Sequence, residues 1–259
     1  MKHLFSPQGQ KALSDLLSLR PLLAFDFDGT LAPIVTRPDD ARVSTAVALQ
    51  LQRLSRWRPV AIVTGRSVED VTGRLGFNPG YIIGNHGAED PQSVTDDSFV
   101  DALVQTRALL QTHQLALLQA GVTLEDKRSS LALHYRLARD RDAAQHCIAG
   151  VLAQLGPEVR TFGGKCVSNI VPAAAPDKGD AVVRLVERSD SDAALIVGDD
   201  INDEAVFKIA PHHWVTVRIG RDDTSSAARY FLDSSNEMAI LLQRMIDIRD
   251  AAAPSSRSL

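Results

Sequence analysis

Short runs of apolar residues without polar alternation recur in the first hundred and the last hundred residues of this chain. Strands that are buried on both faces have this pattern because neither side of them meets water, and such strands are typical of parallel sheets. The runs therefore predict five strands of one buried sheet, at residues 22–25, 60–63, 81–83, 194–197 and 214–219.

Between these runs, apolar positions recur every three or four residues, which is the period of an amphipathic helix. The segment 44–57 shows this spacing, and further helices are predicted to begin at Ser67 and at Asp177, whose side chains are suited to capping. The order strand, helix, strand favours right-handed crossovers. It predicts a doubly wound α/β fold around a parallel sheet.

The middle of the chain has a different pattern. It predicts a long helix over 98–120, a hairpin with strands 122–126 and 130–136, a helix over 141–155, and strands 158–162 and 166–171. This order favours a small antiparallel sheet covered by two helices, inserted as an α+β domain. We predict a core formed by residues 1–92 and 176–259, a cap formed by residues 93–175, and frayed ends before residue 6 and after residue 251.

Composition and charge narrow the classes of function. Hydrophobic residues make up 44% of the chain and charged residues 23%, as in a globular protein with a real core. The 28 basic and 32 acidic residues give a net charge of −4, so we expect neither nucleic acid nor a membrane surface as partner. The sequence lacks a membrane span and a signal peptide, its two cysteines suit a reducing compartment, and no protein partner is inferred. We therefore expect a cytoplasmic protein.

Two aspartates follow the first predicted strand, in the run DFDGT at 26–30. Ligands collect at the carboxyl ends of parallel strands. Strand alternation returns Asp26 and Asp28 to one side, where two unpaired carboxylates would repel each other. A hard divalent cation relieves that repulsion, and Mg²⁺ prefers such oxygen ligands. An acidic turn that caps the next helix is the simpler alternative.

A second acidic run, GDDINDE at 198–204, follows the predicted strand 194–197 and weakens the capping alternative because it has the same topological position. Thr64 ends another strand, where its hydroxyl and the next amides can bind a phosphate. Lys178, one of only six lysines, stands at a predicted helix start. The helix dipole disfavours a cation there unless an anion is bound beside it. Together these positions predict a site for a metal ion and a phosphate.

Four motifs in this order resemble the signature motifs of haloacid-dehalogenase superfamily phosphatases: DFDGTL at 26–31, TGR at 64–66, DKG at 177–179 and GDDIND at 198–203. The insert between the second and third resembles the C2-type cap of that superfamily. Further segments resemble trehalose-6-phosphate phosphatases in particular, namely residues 26–34, GNHGAE at 84–89, EDK at 125–127, HYR at 134–136 and GK at 164–165.

The resemblance implies a two-step phosphoryl transfer. Asp26 would be the nucleophile that forms an aspartyl phosphate, and Asp28 would act first as acid and then as base. Thr64 and Lys178 would hold the other phosphate oxygens. These four residues are the catalytic residues that the resemblance implies.

The resemblance also implies a magnesium cofactor. The ion would be held by Asp26, by the backbone carbonyl of Asp28 and by Asp199, while Asp203 would steady its water ligands. Binding of the sugar would lie with the cap, because an uncharged disaccharide is recognised by paired donors and acceptors on rigid elements. The implied sugar-binding residues are Glu125, Lys127, Arg136 and Lys165 from the cap and His86 and Arg66 from the core.

The sequence departs from this family at Asn169, where related enzymes carry a glutamate near the Gly164-Lys165 pair. Asparagine still accepts a hydrogen bond from a sugar hydroxyl but loses the stronger charge-assisted bond. We include Asn169 among the sugar-binding residues and expect magnesium-dependent hydrolysis of trehalose 6-phosphate. The alternatives are a phosphatase for sucrose, mannosylglycerate or glucosylglycerol phosphate, a sugar phosphomutase, and a non-catalytic sugar-phosphate sensor.

Overall fold

The computed structural model describes residues 1–93, 98–221 and 223–252. Its strands are β1 (Lys2–His3), β2 (Pro21–Phe25), β3 (Val60–Val63), β4 (Tyr81–Ile83), β5 (Thr123–Asp126), β6 (Leu131–His134), β7 (Val159–Gly164), β8 (Val167–Pro172), β9 (Ala193–Gly198), β10 (Val215–Ile219) and β11 (Tyr230–Leu232). Its helices are α1 (Pro7–Leu17), α2 (Thr45–Ser55), α3 (Val68–Thr72), α4 (Ser98–Ala102), α5 (Val104–Thr112), α6 (Gln114–Gln119), α7 (Arg141–Leu152), α8 (Lys178–Arg188), α9 (Glu204–Ile209) and α10 (Met238–Ala252). None of these helices has the length and apolar composition needed to cross a bilayer.

Seven strands form one parallel sheet in the order β1-β11-β10-β9-β2-β3-β4. The five predicted runs form β2, β3, β4, β9 and β10 of this sheet, and every residue of β2, β3 and β9 is buried. The prediction of a doubly wound α/β fold is therefore confirmed. Because β9, β2 and β3 are neighbours, their carboxyl ends meet at one edge of the sheet, although β9 comes late in the chain.

Two short strands that the sequence did not predict complete the sheet. Strand β1 pairs in parallel with β11, and Leu4, which follows β1, is completely buried. The prediction that the chain frays before residue 6 is therefore wrong. Strands of two and three residues carry too little pattern to be recognised, and their neighbours in the fold decide their conformation. At the other end α10 continues to Ala252, and residues 253–259 lie outside the described ranges.

His3 fixes this added edge to the rest of the core. Its Nε2 lies 3.3 Å from Glu237 Oε2 and 3.7 Å from Asp233 Oδ2. The amide of Phe5 donates to Nδ1 of His3 at 3.1 Å, so the neutral ring carries its hydrogen on Nε2 and donates it toward Glu237. A ring in this tautomer presents no lone pair to the two carboxylates. The three side chains therefore form a hydrogen-bonded clamp and are unsuited to a metal ion.

A second, antiparallel sheet has the order β5-β6-β8-β7 and a hydrophobic core of its own. The predicted hairpin is present as β5 and β6, and the predicted later strands as β7 and β8. Strands β7 and β8 are joined by Lys165 and Cys166, and Cys166 adopts a positive φ of 61°. This tight turn places Lys165 at the tip of a hairpin that is anchored in the sheet.

The prediction of a single helix over 98–120 is wrong, since three short helices occupy this segment. The amide of Leu103 bonds a carbonyl three residues back, and the amide of His113 is shared between two carbonyls. These irregular bonds separate α4 from α5 and α5 from α6. Leu103, Leu110 and Leu117 nevertheless all reach the core of the second sheet.

The chain leaves the parallel sheet after β4 and returns to the core through α8. The intervening segment carries the antiparallel sheet, which fits an inserted cap. The boundaries at residues 93 and 175 stay a prediction, and residues 94–97 beside the first of them lie outside the described ranges. We call the antiparallel sheet and its helices the cap, and the parallel sheet and its helices the core.

Candidate active site

The three neighbouring strands β2, β3 and β9 are followed directly by Asp26, Thr64 and Asp199. The amide of Asp26 donates to Val197 at 2.9 Å, and that of Thr64 donates to Ile83 at 2.9 Å, so the sheet ladder continues to the site. All three side chains are buried. The sequence prediction that these residues lie at one edge of the sheet agrees with this placement.

Three buried carboxylates converge at this edge. Asp26, Asp199 and Asp203 each offer an oxygen, and these oxygens lie within 4.8 Å of one another. Burial raises the pKa of Asp26 well above its usual range, although the nearby charge of Lys178 opposes the shift. Burial likewise raises the pKa of Asp199. Both shifts express the cost of holding several negative charges away from water.

Lys178 is the buried cation of this cluster. Its Nζ lies 2.9 Å from Asp26 Oδ1 and 2.8 Å from Asp203 Oδ1. Burial disfavours the ammonium, but the two carboxylates outweigh it and raise the pKa of Lys178. A capping box between Asp177 and Asp180 fixes the helix that begins at Lys178. This local structure places a permanent positive charge beside Asp26.

The cluster fits a hard divalent cation. Asp199 Oδ2 accepts a bond from Lys165, whereas Asp199 Oδ1 is buried and has no hydrogen-bond partner among the residues described. A buried carboxylate oxygen without a partner is costly, and a cation would satisfy it. Gly29 permits the close packing here: its φ is +79°, and a Cβ on it would lie 2.0 Å from Asp199 Oδ2.

Asp28 lies beside this cluster and is half-exposed. Arg66 donates to both of its oxygens, from Nε at 2.7 Å and from Nη2 at 2.8 Å. Arg66 also donates to Asp70 Oδ2 at 2.7 Å. The guanidinium that was predicted to assist sugar binding therefore orients the carboxylate of Asp28. The carboxylate of Asp28 is outside the metal-type cluster, and the expected role of its backbone carbonyl stays a prediction.

Two cap lysines reach the core. Lys165 Nζ donates to Asp199 Oδ2 from the tip of the β7–β8 hairpin. Lys127 Nζ donates to the carbonyl of Gly65 at 2.9 Å, and burial lowers the pKa of this lysine. The predicted cap residues Lys127 and Lys165 thus lie directly over the strand ends.

The other two predicted cap residues lie beside these lysines. Glu125 Oε2 bonds His134 Nε2 at 2.7 Å and lies 3.6 Å from Lys127 Nζ, and the His134 bond lowers the pKa of Glu125. Arg136 donates to the carbonyl of Lys165 at 3.2 Å. The structure therefore forms two pairs, Glu125 with Lys127 and Arg136 with Lys165, at opposite ends of β6.

His86 and Asn169 form part of the boundary between the domains. The His86 ring covers Gly65, where a Cβ would lie 2.2 Å from the ring. It packs nearly perpendicular to the Phe162 ring, with 4.9 Å between the two ring centroids. Burial lowers the pKa of His86 well below its usual range, so the ring is neutral. His86 Nδ1 and Asn169 Nδ2 are both buried without a hydrogen-bond partner among the described residues. Both side chains keep unused polar atoms.

A cleft of about 350 Å³ lies between β7 of the cap and helices α8 and α9 of the core. His86 and Lys178 line it on the core side and Phe162 lines it on the cap side. The cleft therefore extends from the buried lysine of the carboxylate cluster to the boundary with the cap. Phe162 is a site residue that no motif in the sequence identifies.

Asn85 and Glu89 belong to the GNHGAE run, and the sequence alone assigns them no role. Asn85 is buried between core and cap, and its Nδ2 donates to Glu89 Oε2 at 2.8 Å. The signal in the sequence that points to them is the position of this run, directly after β4 at the same sheet edge as Thr64.

Comparison with known proteins places this architecture in a family. The model of the trehalose-phosphatase family matches residues 24–236. A trehalose-phosphate phosphatase of Mycobacterium tuberculosis is 32% identical over 244 residues, which cover 89% of this chain and 62% of the relative. A trehalose-phosphate phosphatase of Mycolicibacterium paratuberculosis is 33% identical over 264 residues, covering 93% of this chain and 67% of the relative. The chain thus spans less than two thirds of the length of the first relative.

A solved structure shows the same fold. The C-terminal domain of trehalose-6-phosphate phosphatase from C. albicans superposes with a TM-score of 0.74 at 21% sequence identity, covering 92% of this chain and 96% of that domain. Its agreement extends over both sheets, since little of either chain is left out. Because the family match includes all four motifs and the whole cap, the chain belongs to the trehalose-phosphatase family.

Proposed function

We propose that this protein is a magnesium-dependent phosphatase that hydrolyses trehalose 6-phosphate to trehalose and inorganic phosphate. The observation that carries the proposal is the position of Lys178 Nζ, 2.9 Å from Asp26 and within the cluster that includes Asp199. A nucleophile, a phosphate-binding cation and a metal-type carboxylate set thus occupy one sheet edge. The family membership of the chain supports the choice of substrate.

The first chemical step forms a bond between Asp26 and phosphorus. The Asp26 carboxylate attacks the phosphorus in line, and the bond between phosphorus and the sugar oxygen breaks. Lys178 favours the ionised carboxylate that this attack requires, because its ammonium lies 2.9 Å away. Thr64, buried directly after β3, would donate to another phosphate oxygen.

Asp28 transfers the protons in both steps. As an acid it protonates the departing sugar oxygen. As a base it then takes a proton from the water that attacks the phosphorus and releases Asp26 and inorganic phosphate. Arg66 holds the Asp28 carboxylate by two bonds, which fixes its direction during both transfers.

Asp26, Asp199 and the backbone carbonyl of Asp28 would hold the magnesium ion, and Asp203 would steady its water ligands. When bound, the ion neutralises charge on the phosphate oxygens. The chain itself prepares this site, because Gly29 lets the loop after β2 approach Asp199. Lys178 and Lys165 supply the remaining positive charge.

The cap residues supply recognition of the sugar. Glu125 and Lys127 lie 3.6 Å apart and offer an acceptor and a donor to sugar hydroxyls. Arg136 and Lys165 contact the core from the cap, His86 and Asn169 lie at the boundary of the two domains, and these four side chains would bind further sugar hydroxyls. A ligand bound there is held from the cap, while its phosphate is held from the core.

A panel of sugar phosphates tests the proposal. Phosphate release is measured from trehalose 6-phosphate and from the phosphates of sucrose, glucosylglycerol and mannosylglycerate, without any bisphosphate activator. We expect kcat/KM for trehalose 6-phosphate to exceed the others by at least about tenfold, a difference of about 1.4 kcal/mol in transition-state binding. Equal values would remove the trehalose assignment, and a requirement for the activator would favour a phosphomutase.

Asp28→Asn is expected to lower kcat by about 10²–10⁴-fold, because it removes the proton donor and acceptor but leaves the nucleophile. The phosphorylated enzyme should accumulate, which mass spectrometry of rapidly quenched samples would detect. The matched control is Asp70→Asn, which removes the other carboxylate that binds Arg66. Similar losses of kcat in the two variants would show that Asp28 acts only by holding Arg66.

Another sugar phosphate remains a second candidate substrate because of Asn169. This side chain is 3% exposed, and its Nδ2 lacks a partner among the described residues. If trehalose 6-phosphate is the substrate, Asn169→Glu should leave its KM unchanged or raise it several-fold, since a buried carboxylate must be desolvated. Asn169→Gln controls for the added length. A strong improvement with glutamate alone would indicate that another sugar phosphate is the natural substrate.

A further inference from the structure

The loop after β4 has an unusual backbone. Asn85, His86 and Gly87 have φ values of +49°, +58° and +114°, so three successive residues adopt left-handed conformations. Side chains other than glycine rarely adopt this region without support from their surroundings. Here the amide of Asn85 donates to the carbonyl of Arg66 at 2.8 Å and that of His86 donates to the carbonyl of Thr64 at 2.9 Å. The loop is therefore fixed to the TGR motif that follows β3.

This backbone presents the side chain of Asn85 toward the cap. The Nδ2 of Asn85 donates to Glu89 Oε2 at 2.8 Å, and the same Glu89 oxygen accepts from the amide of Val68 at 3.0 Å. Because this oxygen already accepts from a backbone amide, the Asn85 atom that faces it is assigned as the donor Nδ2. The Oδ1 of Asn85 therefore becomes a buried acceptor on the surface of the core.

Ser130 of the cap is the hydrogen-bond partner of this acceptor. Its Oγ donates to Asn85 Oδ1 at 2.8 Å, and both residues are buried, with exposures of 2% and 1%. The carbonyl of Ser130 accepts from the amide of Lys127 at 2.9 Å, which closes the turn between β5 and β6. Lys127 Nζ in turn donates to Gly65 at 2.9 Å. The two ends of this turn are thus each bonded to the core.

We propose that Ser130 is a positioning residue for sugar recognition. Its bond to Asn85 sets the position of the β5–β6 turn over residues 64–66 and thereby aligns Glu125 and Lys127 with the sugar of the substrate. This inference rests on the proposed function only in taking Glu125 and Lys127 as sugar-binding residues. Because the bond is buried, its loss leaves Asn85 Oδ1 unsatisfied, and the turn can shift to recover a partner.

Kinetics with two kinds of substrate test the proposal. Ser130→Ala should raise KM for trehalose 6-phosphate by about five- to tenfold, the effect of one buried hydrogen bond, with kcat within about twofold. Turnover of p-nitrophenyl phosphate, which has no sugar, should be unchanged and thus reports an intact core. The matched control is Ser129→Ala in the same turn, whose side chain makes no hydrogen bond within the described ranges.

A double-mutant cycle identifies the partner. Asn85→Gly removes the acceptor without strain, because glycine tolerates the positive φ. Ser130→Ala should then add less than about twofold to KM, since the bond is already lost. Independent, multiplying effects of the two substitutions would overturn the proposal, as would a Ser130→Ala variant that matches Ser129→Ala or that slows both substrates equally.

Hydrogen exchange tests the same inference without any turnover. Ser130→Ala should speed amide exchange in residues 127–130 by about fivefold or more, whereas Ser129→Ala should not, because only the former releases the turn from the core. Unchanged exchange in Ser130→Ala contradicts the inference even if trehalose 6-phosphate is the substrate. A wild-type protein that releases no phosphate from trehalose 6-phosphate contradicts the proposed function instead.

Discussion

Asp26→Asn is expected to lower phosphate release from trehalose 6-phosphate by roughly 10⁴-fold or more, the scale seen when an enzyme loses its nucleophile. The amide cannot form the ester bond to phosphorus that the two-step route needs. The variant should remain folded, because Lys178 keeps its second carboxylate partner, Asp203, at 2.8 Å. Phosphate release under saturating substrate is the measurement.

The control for this prediction is Asp40→Asn, which removes an exposed carboxylate in the segment between β2 and α2. It should retain full activity. Thermal unfolding of Asp26→Asn would establish that the loss is chemical. A rate within about tenfold of the wild type would show that Asp26 is not the nucleophile. Acid–base catalysis and substrate binding alone would support a rate far below that of the wild type.

Removal of divalent metal with a chelator is expected to abolish activity, and added Mg²⁺ should restore it. The reason is the cluster of Asp26, Asp199 and Asp203, whose oxygens lie within 4.8 Å and whose burial raises the pKa of two members. Bound Mg²⁺ should also stabilise the fold, by about 2.7 kcal/mol at a concentration a hundred times its Kd. The midpoint of thermal unfolding, measured with and without Mg²⁺, checks this effect independently of turnover.

Asp199→Asn should remove most of the magnesium-dependent stabilisation, since it replaces the carboxylate whose Oδ1 has no protein partner within the described ranges. Asp233→Asn, in the clamp beside His3, should leave it unchanged because the tautomer of that histidine turns its N–H toward the carboxylates. Full activity in the presence of the chelator, or an unfolding midpoint that is the same with and without Mg²⁺, would exclude the metal-dependent route.

The sequence predicted the parallel core because strands such as β2, β3 and β9 are apolar throughout, and only burial on both faces explains such runs. It did not predict β1 and β11, which are short and depend on each other across the length of the chain. It also merged α4, α5 and α6, because the leucine pattern continues through breaks that only the local hydrogen bonds reveal.

The candidate site was predictable to the extent that it depends on strand ends. Asp26, Thr64 and Asp199 each follow a recognisable strand, so the rules of parallel sheets bring them together. The contacts between cap and core could not be predicted from the sequence. The bond from Ser130 to Asn85 depends on the left-handed loop after β4 and on the docking of one domain on another, and neither leaves a periodic pattern.

The return from the cap to the core is short. Strand β8 ends at Pro172 and α8 begins at Lys178, so only residues 173–177 separate the sheet that carries Asn169 from the lysine beside Asp26. At the end of this connection the carbonyl of Asp177 packs against Gly87, where a Cβ would lie only 2.4 Å away. Under the proposed function, the sheet that recognises the sugar and the lysine that favours attack by Asp26 are therefore joined by five residues of main chain. A change in the length of this connection is expected to disturb sugar binding and phosphoryl transfer together.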